Sequence, residues 1–595
     1  MFSHVNSIPD LASGGILADD MGLGKTIQVI SLIAADKITD QSRSGVSGAT
    51  LILAPLSVMS NWSSQMERHV KQKHALRVLT YHGPKRVPID RNIITNYNVL
   101  ITTYDTMMAE YWSGATKQAE KVPRKSGLFS VTWRRLVLDE GHIIRNPATK
   151  KAVAACNLLA QSRWILTGTP IINTLKDLFS LVKFLRLSGG LDRFELFNAA
   201  LIRPVNQGSE QGSRLLQTLM RDICLRRKKE MSFIDLKLPE LSEYVHKIDF
   251  LPHEQEKYDA LKAEAEGTLD TYRARQGQAG AGADAMRAYR NLLEILLRLR
   301  QVCNHWKLCG AKRFELLKMG EQMVVELTPE NRTALQEMLQ LNIDGQDDCP
   351  VCYEPLSGAC DPVITVCTHT FCYACIEKVI ETQQKCPMCR AELDTTAKLL
   401  RPAVETAAQP HLDISGYESS SKIEALLTIL EASQRKHDGT KTVIFSQWTS
   451  FLDIVQAQLE HQGFNYTRID GSMPPQARDQ ALESLENDTG CTIMLASLSV
   501  CSVGLNLVAA NQVVLADSWW APAIEQQAVD RVYRLGQQRK TTVFRLVIRD
   551  SIEERVLQIQ EDKRKLMMLA FAEKAEKRGK KGESSSVAQI ERLLR

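Results

Sequence analysis

The sequence contains no apolar run of about eighteen residues, the length that a membrane-spanning helix needs, and no apolar signal-peptide core near its amino terminus. We therefore expect an intracellular protein without membrane contact. Net charge is also small, +5 over 595 residues, so any nucleic-acid surface must be a local patch. The fourteen cysteines would be unusual as disulfides inside a cell. Eight of them fall between Cys349 and Cys389, which indicates metal binding instead.

Length alone predicts about four domains, and 44% hydrophobic with 24% charged residues is ordinary for globular protein. In the first half, short apolar runs alternate with helical stretches, which is typical of strands buried on both faces of a parallel sheet. These runs are Thr50–Ala54, Val99–Thr103, Arg135–Leu138 and Trp164–Thr167. The sequence therefore predicts an α/β fold whose functional residues lie at the carboxyl ends of the strands.

A phosphate-binding loop is predicted before the helical stretch Ile27–Ala35. Gly22 and Gly24 would let backbone N–H groups approach an anion, Lys25 offers a positive charge, and the Thr26 hydroxyl can bind Mg²⁺. An ordinary glycine-containing turn is the alternative, since short motifs of this kind also arise by chance.

Two adjacent acids form the second part of this predicted site. Asp139 and Glu140 follow a buried-type strand, and phosphoryl transfer needs one group to hold Mg²⁺ and another to orient water. We assign Asp139 to the metal and Glu140 to the water. A solvated acidic turn is the alternative. His142 and Thr167 could couple the nucleotide to the rest of the protein, although ordinary hydrogen bonding would explain either.

Three motifs resemble the SWI/SNF ATPases of helicase superfamily two: Gly14–Thr26, Asp139–Pro147 and Leu166–Ile171. The resemblance implies a RecA-like lobe. In this family an Asp normally stands in place of the first loop glycine, as Asp19 does here. Ile172 stands where the family usually has Gln. The family's adenine-sensing Gln motif would lie upstream of Gly14, so we interpret the chain as truncated there. The residues expected to bind ATP and Mg²⁺ are Asp19, Gly22, Leu23, Gly24, Lys25, Thr26 and Asp139.

A second set of buried-type strands predicts a second parallel sheet: Thr442–Phe445, Ile493–Ala496, Val513–Ala516 and Val543–Val547. Gln526–Gln537 reads as a helix carrying Arg531 and Arg534 on one face. A surface salt-bridged pair is the alternative, but the segment resembles the family's arginine-finger motif. The resemblance thus implies five catalytic residues: Lys25, Asp139, Glu140, Arg531 and Arg534.

Several other segments also match family positions. Leu225–Glu230 is similar to an element at the end of the first lobe, and a nuclear-import signal is the alternative. Ser551–Leu569 is similar to a helix that braces the two lobes. Gln276–Ala285 is predicted to be a loop, and Cys303 and His305 to be packing residues. Ser499–Ser502 replaces a usual Lys-Ala-Gly-Gly. The expected DNA-facing residues are Thr103, Gln447, Trp448, Ser497 and Asn506.

Eight ligands with C3HC4 spacing form the strongest local signal: Cys349, Cys352, Cys367, His369, Cys372, Cys375, Cys386 and Cys389. They are enough for two closed tetrahedral zinc sites, which would be structural. The pattern resembles a RING finger, which implies interleaved sites and recruitment of a ubiquitin-charged E2 enzyme. Val351 and Pro387 would then contact the E2, and Arg390 the ubiquitin tail. Val379 replaces a common Trp, and a RING used only for docking is the alternative.

A RING inside the second lobe makes the chain resemble the helicase-like transcription factor group of translocase ubiquitin ligases. Expected divisions are 1–235 (first RecA-like lobe), 236–340 (helical linker), 345–395 (RING), 418–570 (second lobe and brace) and 571–595 (basic tail). The resemblance implies a nuclear ATPase that translocates on double-stranded DNA and ubiquitylates proteins in post-replication repair, with chromatin, nucleosomes or a sliding clamp as further partners. The alternatives are a ligase scaffold with an impaired motor, a nucleotide-excision-repair translocase and a strand-separating helicase.

Overall fold

A computed structural model gives the fold of the chain. It describes residues 13–571 except 37–46, 84–85, 87–88, 113–125, 188, 230, 232–237, 277–291, 293–294, 310–325, 345–348, 353–355, 357–360, 394, 403–418, 436–438, 472 and 499–504. The expected loop after Gln276, the segment Ser499–Ser502 and the basic tail therefore lie outside the described residues. Among those described, no helix is long and apolar enough to cross a membrane.

Lobe one is built on a seven-stranded sheet in which every neighbouring pair is parallel. Its strands are β1 (Ser13–Leu17), β2 (Ser47–Leu53), β3 (Val78–Tyr81), β4 (Val99–Thr102), β5 (Thr132–Asp139), β6 (Leu159–Leu166) and β7 (Cys224–Leu225). They are arranged in the order β3-β4-β2-β5-β6-β1-β7. All four predicted strands are confirmed. Leu136 and Val137 in the centre are fully buried, and each such side chain contributes about 1.5–3 kcal/mol by leaving water.

Lobe two has a six-stranded parallel sheet with the order β13-β14-β12-β15-β16-β8. Its strands are β8 (Leu241–Ile248), β12 (Thr442–Ser446), β13 (Tyr466–Ile469), β14 (Ile493–Ser497), β15 (Gln512–Leu515) and β16 (Thr541–Ile548). The four strands predicted here are also confirmed. The edge strand β8 was not predicted, and it joins β16 from the other side of the zinc-binding insertion.

The insertion has a small antiparallel sheet of its own, ordered β10-β9-β11. Its strands are β9 (Pro362–Thr365), β10 (Thr370–Cys372) and β11 (Leu399–Leu400), with the helix Tyr373–Gln383 packed beside them. Cys349 and Cys386 are buried together with Phe371 and Ile376. The two α/β lobes with an inserted zinc-finger unit thus match the predicted fold class.

Helices cover both large sheets, as parallel strands require. In lobe one they are Lys25–Ala35, Met59–His69, Arg91–Ile94, Tyr104–Trp112, Lys150–Asn157, Leu175–Leu185, Phe194–Phe197, Arg203–Asn206 and Glu210–Ile223. In lobe two and the insertion they are Pro252–Gln276, residues 295–304, Pro329–Asp344, Ser421–Arg435, Thr449–His461, Pro475–Asn487, Pro522–Val532 and Ile552–Ala570.

The last of these, Ile552–Ala570, is the brace helix. It begins in the core of lobe two, where Ile552 and Val556 are buried, and ends with Ala570 buried in the core of lobe one. Midway, Lys563 Nζ donates to Asn173 Oδ1 of lobe one (2.8 Å) and to the Trp520 carbonyl of lobe two (2.7 Å). The predicted bracing of the two lobes by this helix is confirmed.

Candidate nucleotide cleft and zinc centres

The predicted phosphate loop connects β1 to the helix Lys25–Ala35. Gly22 (φ 89°) and Gly24 (φ 74°) adopt left-handed backbone conformations that side chains disfavour, which explains the glycines. The helix starts at Lys25, so its free N–H groups face the loop and favour an anion. Lys25 Nζ donates to the Asp19 (2.7 Å) and Asp20 (3.2 Å) carbonyls, and burial lowers the pKa of the ammonium group.

The contacts of Asp19 explain why an acid stands in the first glycine position of the loop. It is completely buried, and its carboxylate accepts hydrogen bonds from the Arg227 guanidinium and, at 2.9 Å, from the Arg227 backbone N–H. Gln28 Nε2 donates to the same carboxylate at 3.3 Å. The Asp19 side chain is therefore engaged within the protein, and its contribution to the predicted ATP site is structural.

The two predicted acids lie at the end of β5, behind the phosphate loop. Trp62 Nε1 donates to Asp139 Oδ2 (2.8 Å), the Tyr104 hydroxyl donates to the Asp139 carbonyl (2.7 Å), and Glu140 N donates to Asp139 Oδ1 (3.0 Å). Glu140 itself adopts φ 49°, a strained conformation for a non-glycine residue that is common at functional sites. The positions of Trp62 and Tyr104 could not be predicted from local sequence.

Electrostatics links these acids to both lobes. Burial is the main cause that raises the pKa of Glu140, while the positive charges of Arg531 and Lys25 oppose it. Burial also raises the pKa of Asp139, and the neighbouring Glu140 adds to this. His142 Nδ1 lies 3.4 Å from Glu140 Oε2, and burial lowers the pKa of His142 to about 4, so its imidazole is neutral at pH 7.

The motif at the end of β6 adjoins the same loop. Thr167 is buried and accepts a 3.2 Å hydrogen bond from Thr169 N through its hydroxyl. In the turn that follows, Asp177 Oδ2 accepts from the backbone N–H groups of Ile172 (3.1 Å) and Asn173 (2.6 Å). All three are ordinary hydrogen bonds between a backbone N–H and a side chain. The two that Asp177 accepts fix the turn at Asn173, which Lys563 reaches from the brace helix.

Lobe two contributes the two predicted arginines, although not from one helix. The helix Pro522–Val532 ends before Arg534, because Tyr533 leaves the helical conformation (φ −93°, ψ 80°). The prediction of a continuous helix over Gln526–Gln537 was therefore wrong, and Arg534 lies in the turn beyond it. A Cβ atom built on Gly22 would stand 3.4 Å from Arg534 Cβ, so the phosphate loop lies close to lobe two here.

The basic segment after β7 closes the side of the cleft. Ala18 N donates to the Leu225 carbonyl (2.7 Å) and Asp20 N to the Arg227 carbonyl (3.0 Å), so the segment extends the sheet alongside the phosphate loop. Arg226 Nη1 donates to the Gly168 carbonyl at 3.2 Å. This arrangement agrees with the interpretation of Leu225–Glu230 as a lobe-one element.

Two groups of four ligand atoms lie in the insertion, each group within 4.8 Å: Cys349, Cys352, Cys372, Cys375 and, separately, Cys367, His369, Cys386, Cys389. Tetrahedral zinc with bonds of about 2.3 Å to sulfur places neighbouring sulfur atoms about 3.8 Å apart. Cys352 Sγ and Cys372 Sγ are 3.7 Å apart, and His369 Nδ1 lies 3.4 Å from Cys367 Sγ. The donor sets fit two structural zinc ions with the predicted interleaved pairing.

Family comparisons agree with this geometry. The SNF2-related domain family matches residues 7–308, about half of the chain, the helicase conserved C-terminal domain matches residues 421–536, and the RING finger domain matches residues 347–390. The chain belongs to the SNF2-related family. The expected resemblance to SWI/SNF ATPases with an inserted RING finger is thereby confirmed.

Curated relatives of this SNF2-related chain are long proteins. It is 35% identical over 626 residues to the SWI/SNF-related matrix-associated actin-dependent regulator of chromatin subfamily A member 3-like 1 of Arabidopsis thaliana, covering 96% of this chain and 67% of that protein. It is 37% identical over 542 residues to helicase-like transcription factor of Mus musculus (88% and 51%). For DNA repair protein RAD5B of Arabidopsis thaliana the identity is 33% over 608 residues (95% and 46%).

The chain thus spans about half the length of the second and third of these relatives. Among solved structures, the Sulfolobus solfataricus SWI2/SNF2 ATPase core in complex with dsDNA has 23% identity and covers 96% of this chain and 91% of that chain. The TM-score of that superposition is 0.34, too low to compare the arrangement of the lobes.

The RING residues expected to contact an E2 enzyme and ubiquitin lie at the surface. Val351 is 38% exposed, and Pro387 and Arg390 are exposed beside the second zinc set. Met388, which is 41% exposed, adds apolar surface that sequence reasoning missed. Its position within the Cys386–Cys389 spacing could have indicated it. Arg390 adopts φ 62°, and the chain then turns back so that Cys386 N donates to the Ala391 carbonyl at 2.8 Å.

The expected DNA-facing residues of the SNF2-related lobes divide into two groups. Thr103, Trp448 and Ser497 are each at most 3% exposed, so their side chains offer no surface for DNA in this structure. Gln447 is partly buried, and its backbone N–H donates to Asp517. Asn506 is exposed. Direct DNA contact stays a prediction for all five residues.

Proposed function

We propose that the chain is a DNA-stimulated ATPase that translocates on double-stranded DNA and carries a RING ubiquitin-ligase module, acting in the nucleus in DNA repair or on chromatin. One observation carries the ATPase part of this proposal. Lys229 of lobe one donates hydrogen bonds to Asp530 Oδ1 (2.8 Å) and to the Tyr533 carbonyl (2.7 Å) of lobe two, the residues that directly precede Arg531 and Arg534. Residues of both lobes thus converge beside the phosphate loop.

Each residue of the cleft has a role that its position allows. Lys25 and the helix amides bind the phosphates of ATP, and Glu140 orients the attacking water. Bound Mg²⁺ would neutralise phosphate charge from a site held by Asp139 and the Thr26 hydroxyl. Arg531 and Arg534 stabilise the charge that develops on the transferred phosphoryl group, a contribution worth about 10³–10⁵ in rate.

Movement follows from the division of these residues between the lobes. Nucleotide bound to lobe one is complemented by arginines of lobe two, so binding favours a closed cleft and hydrolysis favours opening. DNA lying across both lobes would be gripped in alternation. The contacts would be mainly to the phosphate backbone, which is consistent with sequence-independent tracking.

The ligase part of the proposal is carried by the exposed apolar surface at Val351 and Met388, which lies on a unit built around two zinc-binding sets. Zinc, when bound, would supply the fold of this unit. An E2 enzyme charged with ubiquitin would dock on the apolar surface, and Arg390 would orient the ubiquitin tail. RING fingers in proteins related to this chain provide the analogy for this role.

Steady-state ATP hydrolysis by the purified full chain, with and without duplex DNA, tests the motor. We expect DNA to raise kcat, and Glu140→Gln to lower it about 10²–10⁴-fold while nucleotide still binds. Glu195→Gln, an exposed glutamate of lobe one, is the matched control. A folded, zinc-loaded chain without DNA-stimulated turnover would contradict the translocase and favour a ligase scaffold. Displacement of a strand from the duplex would instead favour a helicase.

Ubiquitin-chain formation with a panel of E2 enzymes tests the ligase. Val351→Glu places a charge on the apolar docking surface and should abolish chain formation without changing zinc content. Glu381→Gln, on an exposed position of the RING helix, should leave it unchanged. Equal activity of all three proteins would contradict the docking role of this surface.

A further inference from the structure

Lys229 belongs to lobe one, but its side chain crosses the cleft into lobe two. Its Nζ donates to Asp530 Oδ1 (2.8 Å) and to the Tyr533 carbonyl (2.7 Å), and it lies 5.3 Å from the centre of the Tyr533 ring. The side chains of Lys229 and Asp530 are only 7% and 8% exposed. Their attraction is therefore screened far less by water and salt than that of a surface pair.

The backbone of the same residue touches the phosphate loop. Lys229 N donates to Asp20 Oδ2 at 3.2 Å. A Cβ atom built on Gly22 would stand 3.8 Å from Lys229 Cε and 3.4 Å from Arg534 Cβ, so both residues lie beside the phosphate loop. One residue thus connects the loop expected to hold phosphate with the lobe expected to supply the arginines.

Each of the two contacts on lobe two directly precedes one of the arginines. Asp530 directly precedes Arg531, and Tyr533 directly precedes Arg534. Asp530 is held on its own helix by a 3.3 Å hydrogen bond from Gln526 Nε2. The helix ends at Val532, between these two contact points. Lys229 therefore holds the backbone segment whose conformation determines the direction of both guanidinium groups.

We propose that Lys229 is a positioning residue for the arginine fingers: it docks Asp530 and Tyr533 against the phosphate loop and so sets where Arg531 and Arg534 lie in the closed cleft. The proposal rests on the ATPase function proposed above. Lys229 has no contact with the reacting atoms in this role. Its loss should therefore lower kcat and leave the KM for ATP nearly unchanged.

The test compares ATP turnover of the full chain at saturating duplex DNA for Lys229→Met, Asp530→Asn and the double variant. We expect kcat to fall about tenfold or more in each single variant, with the KM for ATP within about threefold of the original. The double variant should be no slower than Lys229→Met, because both changes remove the same contact. Lys229→Arg should retain most of the activity, since it keeps a cation in reach of Asp530. Lys183→Met, at an exposed lysine of lobe one, is the control.

Three results would overturn the proposal: an unchanged kcat in Lys229→Met, a change confined to KM, or multiplicative losses in the double variant. Zinc content and thermal melting report whether a variant folds. In Lys229→Met the Asp530 carboxylate loses its cation, whereas in the double variant the Asp530→Asn change removes that negative charge as well. If the original chain itself fails to hydrolyse ATP, the ATPase proposal fails separately. Dyes placed through click-reactive amino acids at Lys183 and Glu483 would then measure lobe closure, and an unchanged distance distribution in Lys229→Met would overturn the docking role.

Discussion

Replacing Lys422 by methionine should destabilise lobe two strongly. Lys422 is completely buried, and its Nζ donates to Glu553 Oε1 (2.5 Å) and Asn304 Oδ1 (2.7 Å). Methionine has a similar length but no charge, so Glu553 would keep its 2.9 Å hydrogen bond from Ile548 N and lose its cation. Breaking a buried ion pair by removing one partner lowers the free energy of unfolding by about 3–5 kcal/mol.

For a lobe of this size, that loss corresponds to a fall of roughly 6–20 °C in melting temperature. The assay is calorimetry of the full chain, with hydrogen exchange of β15 and β16 to identify the lobe-two transition. Lys247→Met is the matched control, because Lys247 Nζ pairs with Glu554 Oε1 at 2.7 Å on the same helix but is 51% exposed. An exposed pair should contribute less than about 1 kcal/mol.

The effect should also depend on pH. Burial raises the pKa of Glu553, and the charge of Lys422 opposes this rise. Without Lys422 the pKa rises further, so the native variant binds more protons than its unfolded chain and gains stability as pH falls. The deficit relative to the original protein should therefore shrink as pH falls through the raised pKa of Glu553. Equal losses for the two lysine variants, or a deficit independent of pH, would refute this reasoning.

Two further predictions concern zinc and the brace helix. Cys349→Ser should lower bound zinc by about half and increase hydrogen exchange in the RING unit. The control Cys491→Ser, in lobe two, should keep both zinc ions. Equal zinc content of the two variants by mass spectrometry would contradict the assignment of ligands. Lys563→Met removes hydrogen bonds to Asn173 and Trp520 worth about 0.5–1.5 kcal/mol each. Amide exchange at the end of the brace helix should then accelerate, whereas Lys565→Met, a half-exposed neighbour, should have no effect.

The interior strands could be predicted because parallel strands buried on both faces are continuous apolar runs. Edge strand β8 could not, since Tyr244 and Val245 are about half exposed and no apolar run marks the strand. Its pairing with β16 also joins residues 300 positions apart, as in Leu241 with Thr541. Local patterns carry no information about such a contact.

The site shows the same division. The rule that functional residues follow parallel strands placed Asp139 and Glu140 correctly relative to Lys25. The motif gave Arg531 and Arg534, but the end of the helix at Val532 depends on the Tyr533 conformation, which the Lys229 contact helps to hold. Lys229 itself was visible only as part of a basic cluster. Its partners became evident only when the two lobes were seen together.

The long-range pairing of β8 has a consequence for how the chain is made. At about 5–20 residues per second, a ribosome needs roughly 15–60 s to travel from β8 to its partner β16. The RING segment emerges in that interval and can acquire zinc and fold while β8 still waits. The RING unit can thus be complete on the nascent chain before lobe two closes its sheet, and before Arg531 or Arg534 can reach the phosphate loop.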